Sequence, residues 1–300
     1  MSFMHNFLHV SNIGTGNVEI FNLSLDAENP PSVRTFGQGL LSSPCGMAAD
    51  VNTLYVVNAG SDNVQVFDIT NRANPVPLGT FGDGDMNNPN AILLVGAFLH
   101  ITNLNSSTVE VYHTAIDPEN PQKVAEYGAG ELNQPNGLAL FPGGTFLYVS
   151  NAGDSTIEIY DISDPENPQR AGQFGGIAEI SHPIGMEIFI DTLYVANFDG
   201  THGSTISVYD LADPENPMVL IKAPEATASF HDVLRKNLDL NSSMYPNPGS
   251  ICDGPVSVLY FQVINDPPFS YSYGGYSEHV EGVGATGIIE MPVHLSDLAV

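Results

Sequence analysis

The five residues "DPENP" occur three times in this chain, at 117–121, 164–168 and 213–217. Looser copies stand upstream, "DAENP" at 26–30 and "NRANP" at 71–75. The five starts are spaced by 45 to 49 residues, and a steady period of this length is typical of a repeat architecture. Asp-Pro and Asn-Pro form turns, because proline presets φ and the Asp or Asn side chain bonds nearby backbone groups. The motif therefore marks one turn in each of five repeats.

The segments around each turn alternate between apolar and polar residues, as strands with one buried face do. Before the turn come a run such as "LYVSN" (147–151), a hairpin sequence, and a run such as "TIEIYD" (156–161). After the turn, one run ends on an aromatic residue and a glycine, as in "GQFG" (172–175), and another follows a proline, as in "QPNGLAL" (134–140). Four strands in about 45 residues predict one blade of a β-propeller.

We predict a single all-β domain over residues 1–300, a six-bladed β-propeller with four-stranded antiparallel blades. The predicted blades cover about 6–37 together with 294–300, then 44–82, 89–128, 135–175, 183–222 and 247–291. Because the chain starts directly with the strand "FLHVSN" (7–12), we expect the C-terminal strand 294–300 to join blade one and close the ring. Residues 223–246 interrupt the repeat and are predicted to form an insertion at the channel mouth.

The amino-acid composition limits the classes of partner that the protein is expected to bind. Seven Lys and Arg against 34 Asp and Glu give a net charge of −27, which disfavours nucleic acid. We expect Glu110 and Glu158 to be solvated outward charges, and His9 and His100 to pack in place of tyrosines. The sequence has no long apolar run, so we do not expect membrane insertion. Its N-terminus lacks the features of a signal peptide. The compartment and the oligomeric state stay open.

Two longer stretches resemble NHL repeats, "FGDGDMNNPNAILLVGAFLHITNLNSSTVEVY" (81–112) and "YGAGELNQPNGLALFPGGTFLYVSNAGDSTIEIYD" (127–161). In addition, "IYDISDPENPQRAGQF" (159–174) resembles the LVIVD-type repeat, and "LYVSNAG" (147–153) resembles the YVTN type. The resemblance covers residues 6 to about 222 well and the remainder poorly. It implies a propeller fold, which occurs in enzymes, in binding modules and in surface proteins.

The six-bladed relatives implied by this resemblance include calcium-dependent gluconolactonases, which hold one metal in the central channel. Asn and acidic residues just after the proline of each blade supply the ligands there. Asn90 and Asn136 match that pattern, Asp297 would take the acidic place, and Ile184 departs from it. Amide and carboxylate oxygens suit Ca²⁺, so the resemblance predicts a Ca²⁺ site on Asn90, Asn136 and Asp297. The alternative is that Pro-Asn-Gly only forms a turn entering a strand.

Other candidate residues are expected near the same mouth. His182, His231 and His294 resemble in outline the zinc site of peptidyl amidating lyases, which are NHL propellers. A hydrolase needs a general acid–base, and the candidates are His182, His231 and Glu187. The residues predicted to form a ligand-binding face are Arg235, Lys236, Cys45 and Ser296. Cys45 and Cys252 fall on different inner strands, so we expect two free buried thiols.

Two functions follow from these patterns. The first is a non-catalytic binding or surface scaffold that presents a face to a protein, a glycan or a small molecule. The absence of a nucleophile–base motif in the sequence favours it. The alternative is a metal-dependent, lactonase-like hydrolase or lyase with its site at the channel mouth. Fold analogy does not choose between them.

Overall fold

A computed structural model describes residues 7–22, 25, 31–189, 191–199 and 203–221, together with three short strands between 261 and 290. The described residues form five four-stranded antiparallel sheets and one two-stranded sheet. The protein is therefore an all-β propeller with four-stranded blades, as predicted. The described part contains five such blades, so the prediction of six is wrong. Within these residues no helix is long and apolar enough to cross a membrane.

The strands follow one another along the chain in the order of the blades. Blade one contains β1 (Phe7–Asn12), β2 (Asn17–Asn22) and β3 (Ser32–Phe36). Blade two contains β4 (Pro44–Ala49), β5 (Thr53–Asn58), β6 (Asn63–Asp68) and β7 (Val76–Phe81). Blade three contains β8 (Pro89–Val95), β9 (Phe98–Asn103), β10 (Thr108–His113) and β11 (Gln122–Tyr127). Blade four contains β12 (Pro135–Leu140), β13 (Phe146–Asn151), β14 (Thr156–Asp161) and β15 (Gln169–Gly175). Blade five contains β16 (Pro183–Phe189), β17 (Thr192–Asp199), β18 (Gly203–Asp210) and β19 (Met218–Ile221).

A strand from the C-terminal part of the chain completes blade one, but it is not the segment that we expected. β20 (Phe261–Val263) pairs with β1 in antiparallel register, with His9 opposite Gln262. β20 thus lies beside β1, where we had predicted 294–300, a segment that lies outside the described residues. β21 (Ser277–His279) and β22 (Ile288–Glu290) form the two-stranded sheet, and β22 lies beside β16. In the described strands the segment 247–291 thus builds no four-stranded blade of its own.

The "DPENP" motif forms the predicted turn in each copy. In the first copy, Asp117 Oδ1 accepts hydrogen bonds from the backbone N–H of Glu119 at 3.1 Å and of Asn120 at 3.2 Å. The turn is also anchored to the preceding blade, because the Tyr55 hydroxyl donates to the Pro118 carbonyl at 2.9 Å. Tyr148 makes the same bond, at 2.7 Å, to Pro214 of the third copy. One motif therefore reverses the chain and joins two blades.

Aromatic rings pack edge-on or tilted in triplets, with two rings from one blade and the third from the next, and their centroids lie 4.6–6.2 Å apart. The four triplets are His9–Phe36–Phe67, Tyr55–Phe81–Tyr112, His100–Tyr127–Tyr160 and Tyr148–Phe174–Tyr209. His9 and His100 thus pack where other blades have tyrosine, as predicted. Burial lowers the pKa of each imidazole to about 4, so both are neutral near pH 7.

Two acidic residues depart from their predicted positions on the surface. Glu110 and Glu158 are each 1% exposed, because every residue from 108 to 112 and from 156 to 160 is buried. Both faces of these third strands are covered, so alternation does not mark an outward side. Glu110 Oε1 lies 3.0 Å from Lys123 Nζ, and Glu158 Oε2 lies 2.6 Å from Arg170 Nε. The prediction of solvated charges at these two positions is therefore wrong.

Candidate ligand site at the channel mouth

Each inner strand from blade two to blade five begins at a proline and is irregular directly after it. In blade three, Pro89 pairs with Asn103 and Ile92 pairs with Ile101. Asn90 and Ala91 therefore both lie opposite Thr102. Two residues facing one make a β-bulge, a device that re-aims a side chain near many active sites. The residue after each proline is thus set apart from the regular strand.

The residue before each proline has an unusual backbone. Ser43, Asn88, Gln134 and His182 all have φ between 49° and 53°. The left-handed region is costly for residues other than glycine, and the surroundings must hold it. The preceding blade does so at His182, whose backbone N–H donates to Ser155 Oγ at 3.2 Å. The Asn88 N–H makes the equivalent bond to Asp62 Oδ1 at 2.6 Å. The backbone of His182 is thereby fixed at the start of β16, and the residue is exposed.

Buried asparagines at the ends of the middle strands support the same loops. Their side-chain oxygens accept a backbone N–H from the loop before the inner strand, at 2.5 to 3.2 Å. The four pairs are Asn58 with Ser42, Asn103 with Asn87, Asn151 with Asn133, and Asn197 with Ser181. The recurring Asn of the "LYVSN" runs was a visible signal for these residues, which we had interpreted only as strand ends.

The structure brings two of the three predicted metal ligands together. Asn90 Nδ2 donates to Asn136 Oδ1 at 2.6 Å, so the amides of blades three and four are in direct contact. Both residues are half-buried. In this arrangement Asn90 presents its nitrogen to the oxygen of Asn136, whereas Ca²⁺ needs oxygens at about 2.3–2.6 Å. Asn90 would have to turn its amide to share an ion with Asn136.

The metal site therefore stays a prediction. Asp297, the third ligand, lies outside the described residues. Within the described part of the chain, no three His, Cys, Asp or Glu side chains come together as a metal-binding group. A pair of neutral amides makes a weak cation site at best, so the contact between the two asparagines fits a hydrogen-bonding role at least as well.

The neighbouring blades carry apolar groups at the same position. Cys45 is only 6% exposed, and Ile184 is half-buried. The backbone carbonyl of Cys45 accepts a hydrogen bond from Ser11 Oγ of blade one at 2.9 Å. From blade two to blade five, the residues after the proline therefore run Cys, Asn, Asn, Ile. At this repeat position, amides therefore lie in blades three and four, and apolar side chains lie in the blades on either side.

The remaining candidates divide into one described residue and several outside the described part. Glu187 is 2% exposed on β16, opposite Tyr194. It stands where blade two has Ala48, blade three Leu93 and blade four Ala139. The candidates outside the described residues are His231, Arg235, Lys236, Cys252, His294 and Ser296, and the insertion 223–246 lies there as well.

Comparisons with known proteins add the fold and no family. No protein-family model matches the chain, and neither does any curated protein, so the NHL, LVIVD and YVTN types remain a resemblance. A candidate 6-phosphogluconolactonase from Bacteroides uniformis has a TM-score of 0.60 at 10% identity, covering 90% of this chain and 83% of that one. A second, from Bacteroides fragilis, scores 0.58 at 16% identity, covering 75% and 70%. The periplasmic gluconolactonase PpgL of Pseudomonas aeruginosa scores 0.57 at 16% identity, covering 76% and 70%. At these identities the similarity shows a shared fold.

Proposed function

We propose that the channel mouth binds a sugar lactone at Asn90 and Asn136 and opens its ring by hydrolysis. The observation that carries the proposal is the contact of two half-buried amides from adjoining inner strands. An amide offers both N–H donors and a carbonyl acceptor. Together the two suit a small ligand with hydroxyl groups and a carbonyl, which is the chemistry of a sugar lactone. The similar folds of proteins that carry lactonase names support the same substrate class.

Charge favours a neutral lactone over a phosphorylated one. The chain carries a net charge of −27, which repels anions. Among the described residues, the basic side chains lie on outer strands or in a turn, and none lies in the loops 37–43, 82–88, 128–134 and 176–182 that precede the inner strands. They are Arg34 in β3, Arg72 in the turn 71–75, Lys123 in β11 and Arg170 in β15. Lys123 and Arg170 are already paired with buried glutamates.

Hydrolysis requires water to add to the ring carbonyl and the ester C–O bond to break. The attacking water loses a proton, the ring oxygen gains one, and the product is a hydroxy acid. His182 is the exposed candidate among the described residues to move that proton, and it lies at the entrance of blade five. His231 and Glu187 are the other candidates. A Ca²⁺ ion held by Asn90, Asn136 and Asp297 would polarise the carbonyl.

A second function is binding without reaction. Cys45 and Ile184 place apolar side chains beside the amides, and such groups contribute contact area to a binding site. In this case the mouth would hold a glycan, a small molecule or a protein segment and leave it unchanged.

The test is hydrolysis of glucono-1,5-lactone by the full chain, followed as proton release at constant pH with the spontaneous rate subtracted. We expect a saturable rate that falls about tenfold or more in Asn136→Ala. Asn120→Ala, an exposed asparagine in a "DPENP" turn, is the matched control and should keep the parent rate. Treatment with a chelator, then with added Ca²⁺, tests the metal.

Three other outcomes have clear meanings. A rate only with 6-phosphogluconolactone would contradict the charge argument. Saturable binding of the lactone without hydrolysis, lost in Asn136→Ala, would replace the enzyme with the binding function. Neither a rate nor a shift in melting temperature with either lactone would reject the site.

A further inference from the structure

Hydroxyl groups complete the bulges of blades three and four. The Ala91 N–H donates to Thr102 Oγ1 at 2.9 Å, and the Gly137 N–H donates to Ser150 Oγ at 2.7 Å. A bulge leaves a backbone N–H without a partner in the ladder, and buried N–H groups require one. In these two blades the side chain opposite the bulge supplies that partner.

Among blades two to five, the hydroxyls occur in the same blades as the asparagines. Opposite the bulge, blade two has Val57 and blade five has Ala196, neither of which carries a hydroxyl. These are the blades with Cys45 and Ile184 after the proline. Within this one chain, an amide at the mouth and a hydroxyl behind it therefore go together, in two blades of the four.

Thr102 has a second bond that reaches the next blade. Its hydroxyl donates to the backbone carbonyl of Asn136 at 3.1 Å, and the residue is fully buried. The Thr102 Oγ1 thus accepts from the Ala91 N–H, directly after Asn90, and donates to the carbonyl of Asn136. The Asn90 side chain makes the third link, to Asn136 Oδ1. The Thr102 oxygen therefore links the two inner strands that carry the asparagines.

We infer that Thr102 is the positioning residue of the Asn90–Asn136 pair. It is buried behind the mouth, and its hydroxyl sets the spacing between the two amides across the boundary of blades three and four. Only the part of its test that measures lactone hydrolysis depends on the proposed function. It deepens that function by naming the group that arranges the site.

A general clamp between blades is the competing explanation, and the chain offers a control for it. Ser11 Oγ donates to the Cys45 carbonyl at 2.9 Å, which is the same kind of bond between blades one and two. Ser11 is also fully buried. Removing the Ser11 hydroxyl costs a comparable interaction and leaves blades three and four untouched.

The experiment compares Thr102→Val, Thr102→Ser and Ser11→Ala in the full chain. The first readout is the side-chain amide signals of ¹⁵N-labelled Asn90 and Asn136, identified by their loss in Asn90→Ala and Asn136→Ala. We expect both pairs of signals to shift in Thr102→Val and to stay at the parent positions in Thr102→Ser and Ser11→Ala. Thr102→Ala is a second variant without the hydroxyl if Thr102→Val does not fold.

The second readout is glucono-1,5-lactone hydrolysis by the same variants. We expect kcat/KM to fall about tenfold in Thr102→Val, the effect of about one hydrogen bond, and to return in Thr102→Ser. Unmoved amide signals in both hydroxyl-free variants, or equal shifts in Ser11→Ala, would overturn the inference. Shifts confined to the Thr102 variants in a protein inactive on lactones would support Thr102 and reject the proposed function alone.

Discussion

Blades three and four differ from blades two and five at positions that the propeller makes equivalent. After the inner-strand proline, the first pair has asparagine and the second has Cys45 and Ile184. Opposite the bulge, the first pair has a hydroxyl and the second has Val57 and Ala196. The proline, the strand-end asparagine and an inter-blade aromatic ring recur in all four blades.

The same division extends to the outer half of the blades. At the centre of the third strand, blades three and four bury Glu110 and Glu158, each with a basic partner. Blades two and five have Gln65 and Ser207 there. Blade one has Ser11 and Glu19 at the corresponding strand positions, so it is the combination of amide, hydroxyl and paired buried glutamate that distinguishes blades three and four, which we call the specialised sector. Comparing the repeats within one chain thus selects residues to test without the use of other sequences.

The largest effect on stability is expected at His100 of blade three, where blade four has Tyr148. Burial lowers the pKa of His9 and His100 to about 4, against an ordinary value near 6.5. The unfolded chain therefore binds more protons between these values, so the stability is present above pH 6.5 and is lost as the pH falls toward 4. The loss is at most about 3 kcal/mol for each histidine.

The measurement is urea unfolding at pH 7 and pH 4.5 for the parent and for His100→Tyr, the residue that blade four has. We expect the variant to lose about 2 kcal/mol less than the parent between the two pH values. His182→Gln replaces an exposed histidine and should follow the parent. A His100→Tyr variant with the pH profile of the parent would show that the buried imidazole does not govern acid stability.

Arg170→Ala tests the buried glutamates of the specialised sector. Removing Arg170 leaves Glu158 buried without its cation, and we expect a loss of about 2 kcal/mol at pH 8, since Arg170 is itself 38% exposed. Burial raises the pKa of Glu158 and the Arg170 side chain opposes that shift. Without Arg170 the folded protein holds a proton on Glu158 more tightly, so the loss should be smaller at pH 5 than at pH 8.

Urea unfolding at both pH values checks this prediction. Arg34→Ala removes an exposed arginine from the outer strand of blade one and should change the stability by less than about 0.5 kcal/mol. Equal effects of Arg170→Ala and Arg34→Ala would mean that the buried ion pair contributes no more than surface charge.

The repeated blades could be predicted from the sequence, but the strand that completes blade one could not. The spacing of "DPENP" predicted the blades, because the Asp and Pro of the motif form one turn in each repeat and so mark the length of a blade. The packing of His9 and His100 followed from their place among tyrosines. The strand that completes blade one was not predictable from pattern, because three residues, Phe261–Val263, suffice to pair with β1. Which segment reaches a free edge depends on the whole chain.

The candidate site was predictable only in part. Asn90 and Asn136 stand at one repeat position, so their proximity followed from the ring. Thr102 was missed, because a bulge leaves no mark in an alternating pattern and its hydroxyl looks like an ordinary strand residue. Glu110 and Glu158 were misplaced, because alternation assumes one wet face, and these strands are buried on both.

The smallest expected effect comes from copying the bulge hydroxyl of blade three into blade two. Val57 lies opposite Cys45 and Gly46 and is fully buried. The carbonyl oxygen of Asn90 approaches within 2.7 Å of where a Cβ on Gly46 would stand. By analogy with Thr102, we expect a threonine at position 57 to accept from the Gly46 N–H and to donate to the Asn90 carbonyl. Burying a hydroxyl usually costs about 1–3 kcal/mol when no partner is available. We expect Val57→Thr to change the free energy of unfolding by less than about 1 kcal/mol, and Val64→Thr, in the fully buried centre of β6, to cost about 2 kcal/mol. Urea unfolding of the two variants measures the difference, and equal costs would show that the bulge position has no special capacity for a hydroxyl.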